Sequence, residues 1–458
     1  MRDTNFTKRG RLALPLAVAL AATAVGSGAT MAQDEPAYAG LDKDLSGTTI
    51  KMAAIGGGNY EAMYDSIGMF EEATGADVEI VFLGDGFEID RYLKTNYAAG
   101  TVDFDVAWNH TSFMSQFTNF VEPLQDYFTE EELAAFSPSI IEAATIDGNL
   151  QLIPRHADIS ALYYRTDLYG DEELQAKFEE QYGYPLEVPT TLDQMYDQSE
   201  FFVGEGAILY GTEFAGKEEA LAGRFYELLF ANGGDYFDAD LNPIFDSEAG
   251  VASATWMQDL YANGLVPPDT PNLLWDGVAA NFCNGDVAVY LEWYGWYGYF
   301  QDPESCPEVA GNFGMARGPV GMDPETHTGW AGAHAFSVAK DSQNKEAAVE
   351  LIKFLTSEAV AFEESNTFGF LPVRADVSAR VVAANADTGN PLDAERWELA
   401  NLQVSEDFRT PPLFADWISF TNEWYPTLQS IILGDLSVED GLAKGVADAT
   451  DLLDSFGY

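Results

Sequence analysis

The sequence predicts an α/β fold. Two observations carry that expectation. Short β-compatible apolar runs alternate with amphipathic helical stretches, and glycines stand where those helices should stop. A third sets the scale. The chain has 458 residues, 47% of them hydrophobic and 13% aromatic. That is enough apolar material for a large core and too much for an acidic disordered chain. At roughly 100–200 residues per domain, the length suggests two or three domains or lobes.

The first segment, residues 1–32, reads as a secretory signal. Lys8, Arg9 and Arg11 make its basic start, residues 12–25 its apolar stretch, and Thr30-Met31-Ala32 its small-residue end. The apolar stretch is short of the roughly 20 residues a spanning helix needs. Next, residues 49–55 form a strand broken by Gly56-Gly57-Gly58. Residues 60–73 place Met63, Ile67 and Phe70 at helical spacing, with Gly75 as the stop. Residues 78–83 form the second strand, 88–98 the next helix before Gly100, and 104–108 the third strand. Strands separated by helices imply a parallel sheet covered on both faces.

Charge and cysteine content narrow the function. Against 75 Asp and Glu stand 22 Lys and Arg with 4 His, a net charge of -53. Such a chain is repelled by nucleic acid and by anionic lipid. Loss of residues 1–32 removes Arg2, Lys8, Arg9, Arg11 and Asp3 and takes the charge to -56. An excess this large is read as adaptation of a solvated surface to a saline habitat, where salt screens repulsion. Cys283 and Cys306 could pair in an oxidising compartment or remain two thiols. Two cysteines alone cannot build a structural zinc site.

Ligands of open α/β sheets bind beyond the carboxyl ends of the strands. That rule selects Asn59 and Tyr60 after the first strand, and Trp108, Asn109 and His110 after the third. Aromatic faces cover the C–H face of a sugar, and amides bond its hydroxyls. The plainer alternative makes Trp108 core and Asn109 a helix cap. Two phosphate and calcium motifs fail. Gly211 to Lys217 nearly spells a P-loop, but Glu218 stands where Ser or Thr is needed. Asp238-Ala239-Asp240 begins like a calcium loop, but Pro243 replaces its glycine.

A series of landmarks resembles the family 1 extracellular solute-binding proteins of ABC importers, the group of the maltose-type receptors. It begins with Asp105-Val106-Ala107-Trp108 and Val121-Glu122-Pro123-Leu124. It continues through Gly148-Asn149-Leu150-Gln151-Leu152-Ile153-Pro154, Asp158 and Leu162-Tyr163-Tyr164. Phe282-Cys283-Asn284-Gly285-Asp286, Trp330-Ala331-Gly332-Ala333-His334 and the helix at 345–355 follow. Phe370-Leu371-Pro372-Val373-Arg374 and Leu433-Gly434-Asp435 complete the order. Each motif is weak alone; the order and spacing are specific.

The resemblance implies a two-lobed periplasmic binding protein fold with a ligand cleft between the lobes. It implies an N-terminal lobe of 33–157 and 326–373, and a C-terminal lobe of 158–325 and 374–458. It also implies a monomeric, soluble periplasmic protein that hands a carbohydrate to membrane permease subunits, without catalysis, cofactor or metal. Asp158 falls where the family often holds a ligand carboxylate. Glu292, Trp293 and Trp296 fall where it often has a stacking Trp. Trp330, Gly332 and His334 line the second crossing. Arg374 and Arg409 are candidate donors and Trp417 a candidate stacker. Trp256, Trp275, Trp397 and Trp424 are assigned to packing, and His156 and His327 are left outside the site. The supply of aromatics argues for a neutral mono- or oligosaccharide or a polyol. The alternative is an exported carbohydrate-active hydrolase with a carboxylate pair.

Overall fold

A computed structural model describes residues 35–386 and 388–458, without the side chains of residues 58, 59 and 62. The secretory signal of residues 1–32 and the side chain of Asn59 lie outside the described residues. Ten strands are present among them: β1 (Thr49–Ile55), β2 (Asp77–Gly84), β3 (Val106–His110), β4 (Thr145–Ile146), β5 (Asn149–Leu150), β6 (Ile153–Arg165), β7 (Val289–Trp293), β8 (Phe313–Ala316), β9 (Ala331–Val338) and β10 (Leu371–Pro372).

The early βαβ reading is realised in β1 to β3. Both β2 and β3 run parallel to β1. Helices Ile67–Thr74 and Gly86–Ala99 connect them, with Gly75 and Gly100 at their C-caps. Asp85 and Glu88 form a capping box that starts the second helix. A 3-10 turn, Gly58–Ser66, replaces the first half of the helix expected at 60–73.

Two expectations need correction. The sheet is mixed rather than parallel. Its order is β10-β6-β9-β3-β1-β2, and β9 runs antiparallel to both β3 and β6. Parallel pairing follows from helical crossovers between neighbours in sequence, whereas β6 and β9 arrive from distant segments. The third strand also begins and ends two residues later than expected. The register Asn109↔Ala335 and His110↔His334 carries β3 past Trp108, an extension that only the distant β9 supplies.

The long strand β6 organises the rest. Ile153 to Tyr163 are buried without interruption, as expected of a strand covered on both faces. Its first half pairs with β9 and β10, and its second half pairs with β7 and β8. Against this lies helix Glu218–Ala231, whose residues from Glu219 onward are all buried. Helices Glu248–Ala262 and Trp417–Ile432 pack on it and on each other, and Val438–Phe456 packs on those two. No helix of the described residues is long and apolar enough to cross a membrane.

Cys283 and Cys306 are bonded and close a loop spanning 23 positions. A loop of that size constrains the unfolded chain by about 3 kcal/mol. Cys283→Ser with Cys306→Ser should lower the urea midpoint by that equivalent, and dithiothreitol should do the same to the parent. An unchanged midpoint in both would show that the bond adds nothing to stability.

Candidate ligand-binding site

The strand ends meet at the middle of β6. Register sets His156 opposite His334 and Asp158 opposite Gly332, and on β6's other edge Ser160 lies opposite Trp293. His110 at the end of β3 faces His334. Tyr60, from the turn after β1, stacks on the His334 ring at 5.0 Å. An alanine at Gly332 would put its Cβ 2.3 Å from His110 Cε1, so this crossing admits no side chain.

A polar chain runs through this half of the site. Trp108 Nε1–H donates to His334 Nδ1 at 3.1 Å. Indole nitrogen is a donor only, so His334 must carry its proton on Nε2. That nitrogen lies 2.9 Å from Asp158 Oδ2 and donates to it. Burial, with His156 and Arg155 close by, holds the His334 imidazole well below its usual range. Burial and the neighbouring His334 ring likewise push His110 down to about 3. Burial raises the Asp158 carboxyl, against the opposing pull of His156 and His110.

His156, Asp158 and His334 bring ligating atoms within 4.8 Å of one another, within reach of a metal ion. The tautomer argues against that use: the proton on His334 Nε2 occupies the nitrogen a metal would need. The His156 ring also stacks on His334 at 4.4 Å and 25°, so the two rings' lone pairs run side by side instead of converging. The group is a hydrogen-bonded chain beside a ring stack, which continues from His156 to Phe370 at 4.3 Å.

Behind the stack, Arg155 Nε donates to Glu364 Oε1 at 2.8 Å and Arg155 Nη2 donates to Tyr60 O at 2.8 Å. Burial alone would raise Glu364, but Arg155 and His156 outweigh it and hold the carboxyl down to about 2. This ion pair ties β6 to helix Glu358–Phe368 and anchors the Tyr60 loop.

The other half is an aromatic box. Trp275, Trp293 and Trp330 contact one another with centroids 4.8–5.6 Å apart. The Arg224 guanidinium lies 5.7–5.8 Å from all three rings. It is ion-paired to Glu227 and donates to Ser160 Oγ at 2.9 Å. Glu227 Oε1 also accepts from Trp330 N at 3.2 Å. Gly223 makes the approach possible: a Cβ there would fall 2.0 Å from Trp330 Cη2. Glu292, next to Trp293 on β7, is fully buried, its carboxyl pushed up to about 8 by burial against the pull of Arg224.

Several buried polar atoms here have no partner among the described residues. Among them are Asn109 Nδ2, Asp158 Oδ1, Arg224 Nε and Nη2, and Glu292 Oε2. Buried polar groups are nearly always satisfied. A run of donors and acceptors without partners, flanked by three indoles, is the lining expected of a site that a polar ligand completes.

Comparison with known proteins agrees with this geometry. The family model of the bacterial extracellular solute-binding proteins matches residues 15–362. The chain belongs to that family. A probable amino-acid ABC transporter periplasmic-binding protein of Sinorhizobium fredii is 27% identical over 370 residues, 78% of each chain. A mannitol-binding protein of Pseudomonas aeruginosa is 25% identical over 245 residues, 52% of each. The maltose-bound MalE3 of T. maritima shares the fold with a TM-score of 0.75 and 25% identity, covering 88% of this chain and 100% of the other. The solute-binding protein therefore has a two-lobed α/β fold, and its family and fold are those of transporter binding proteins, not of enzymes. The hydrolase alternative has no support.

Of the residues selected from sequence, Tyr60, Trp108, Asn109, His110, Asp158, Glu292, Trp293, Trp330, Gly332 and His334 come together in this solute-binding protein. Four do not. Trp417 is buried in the helical core, its Nε1–H bonded to Glu219 Oε1 at 3.3 Å. Arg374 chelates Asp376 and lies over Phe136. Arg409 is exposed with its guanidinium over Phe230, and only its backbone reaches Trp330. Trp296 packs on Tyr299 and Phe300, away from the box. Trp275 and His156, assigned to packing and left outside, are in the site. Arg224 and Glu227 escaped selection, yet an ion pair three residues apart inside the apolar run 220–231 was a legible signal.

The Glu292 carboxyl provides a pH test. Its folded pKa stands above the ordinary value of 4.5. Its proton is held more tightly in the folded state, so its contribution is full below about pH 4.5 and is lost as pH rises towards about 8. Glu292→Gln should leave the melting temperature nearly unchanged at pH 4.5 and raise it at pH 8, by an equivalent on the order of a few kcal/mol. Equal shifts at both values would place the Glu292 carboxyl in water.

Proposed function

We propose that the protein captures a neutral saccharide or polyol in the cleft at the middle of β6 and delivers it to an ABC permease. The observation that carries this is the set of unpartnered donors and acceptors beside three indoles. Indole faces match the C–H surface of a sugar, while amide, carboxyl and guanidinium groups match its hydroxyls. Relatives named for mannitol and galactooligosaccharide binding support the same class. We take 33–157 with 326–373 as one lobe and 158–325 with 374–458 as the other, closing about β6 and β9. Residues 1–32 act as the export signal, and the mature chain works as a periplasmic monomer.

The relative named for amino-acid transport sets the competing ligand class. A thermal-shift screen of the purified protein over maltose, mannitol, ribitol, tagatose and the common amino acids separates the two. Stabilisation by a sugar or polyol, about 2.7 kcal/mol at 100 times its Kd, is expected. Stabilisation by amino acids alone would overturn the saccharide reading. In a fluorescence titration, Trp293→Ala and Trp330→Ala should each weaken binding by about tenfold or more. Trp296→Ala and Trp397→Ala should change it little, because Trp296 packs on Phe300 and Trp397 lies buried beneath Arg396. Equal losses from all four would misplace the site.

A further inference from the structure

We propose that Arg224 sets ligand specificity in this cleft, reading a vicinal diol through the Nε–H and Nη2–H edge of its guanidinium. The inference rests on the saccharide reading and deepens it. Arg224 is 3% exposed, and Nη1 takes both of its side-chain partners, Ser160 Oγ and Glu227. The two unpartnered nitrogens, Nε and Nη2, share the opposite edge. On a planar guanidinium these two N–H groups point the same way and match two oxygens side by side. The three indoles around the group keep the fork from turning to another partner.

Two ligand groups offer adjacent oxygens: a carboxylate and a vicinal diol. Glu227 decides between them. It already neutralises the guanidinium, so a ligand carboxylate would enter as a second buried anion beside it. Buried charge without its own partner is costly, and Asp158 adds a further acid to the same cleft. A diol brings no charge. Its oxygens accept from the fork, one hydroxyl hydrogen is free to donate to the unpartnered Asp158 Oδ1, and the other hydroxyl can accept from the protonated Glu292 carboxyl, whose Oε2 is likewise unpartnered. The site thus combines two guanidinium donors with two carboxyl groups that each have an unpartnered oxygen, a set that adjacent hydroxyls can complete.

The test uses the full mature protein and its Arg224→Lys variant, which keeps the charge and loses the fork. Tryptophan fluorescence is titrated with maltose, mannitol, ribitol, tagatose, glucuronate and glutamate. For the tightest neutral binder, analogues lacking one hydroxyl of each vicinal pair are titrated in turn. Arg224→Lys should weaken that binder tenfold or more. One deoxy analogue should lose a similar factor on the parent protein but little more on the variant, since both changes remove the same contact. If Arg224→Lys does not fold, as its melting curve would show, the deoxy series on the parent decides alone. Equal binding by parent and variant, or deoxy analogues that bind like the parent sugar, would overturn the role of Arg224 and leave the saccharide reading standing. Tighter binding of glucuronate or glutamate than of any neutral ligand would assign the fork to a carboxylate. No binding by any neutral sugar or polyol would overturn both readings.

Discussion

The strand β6 is the constraint on which the other features depend. One extended segment of 13 residues serves as a partner for β9 and β10 along its first half and for β7 and β8 along its second. A strand has no slack: each residue's face and partner follow from its position. Asp158 and Ser160 are two residues apart, so one crossing supplies the carboxylate of the polar half and the hydroxyl that holds Arg224 in the aromatic half. A slip by one residue would turn both away and put Ile159 in their place.

Charge inside the protein is handled in two ways. Arg155 with Glu364, and Arg224 with Glu227, are buried as pairs, each guanidinium held by further hydrogen bonds. With 75 acids and 22 bases, partners run out. The buried Glu213, Glu219 and Glu292 lack a bonded cation among the described residues, and burial raises all three above the usual carboxyl range. Protonation is then cheaper than an unpaired buried anion. Most of the remaining acids face solvent, where screening limits their cost. The same charge that excludes nucleic acid thus leaves the cleft close to neutral.

Most of the site was legible because strand ends are legible. The run 106–110 and the glycine-rich stretch 329–334 both mark where a chain leaves or crosses a sheet, and the side chains there converge. Arg224 and Trp275 were harder to place because each sits on a helix, and the sequence does not say which neighbour a given face of that helix meets. Arg374, Arg409 and Trp417 were misplaced for a related reason. Each has the right chemistry, but Asp376, Phe230 and Glu219 claim it first.

By itself the sequence determined the α/β alternation, the early parallel strands, the acidic surface and the polar and aromatic groups that a binding cleft would need. Those follow from local periodicity, from the conformational limits of glycine and from composition. Only the tertiary structure decided the antiparallel insertion of β9 between β3 and β6, the tautomer of His334, and which cation the three indoles enclose. These depend on contacts between residues far apart in the chain, such as Trp108 with His334 and Ser160 with Trp293. Register across a sheet is set by the summed burial of two whole faces, a sum that no single stretch of the chain contains.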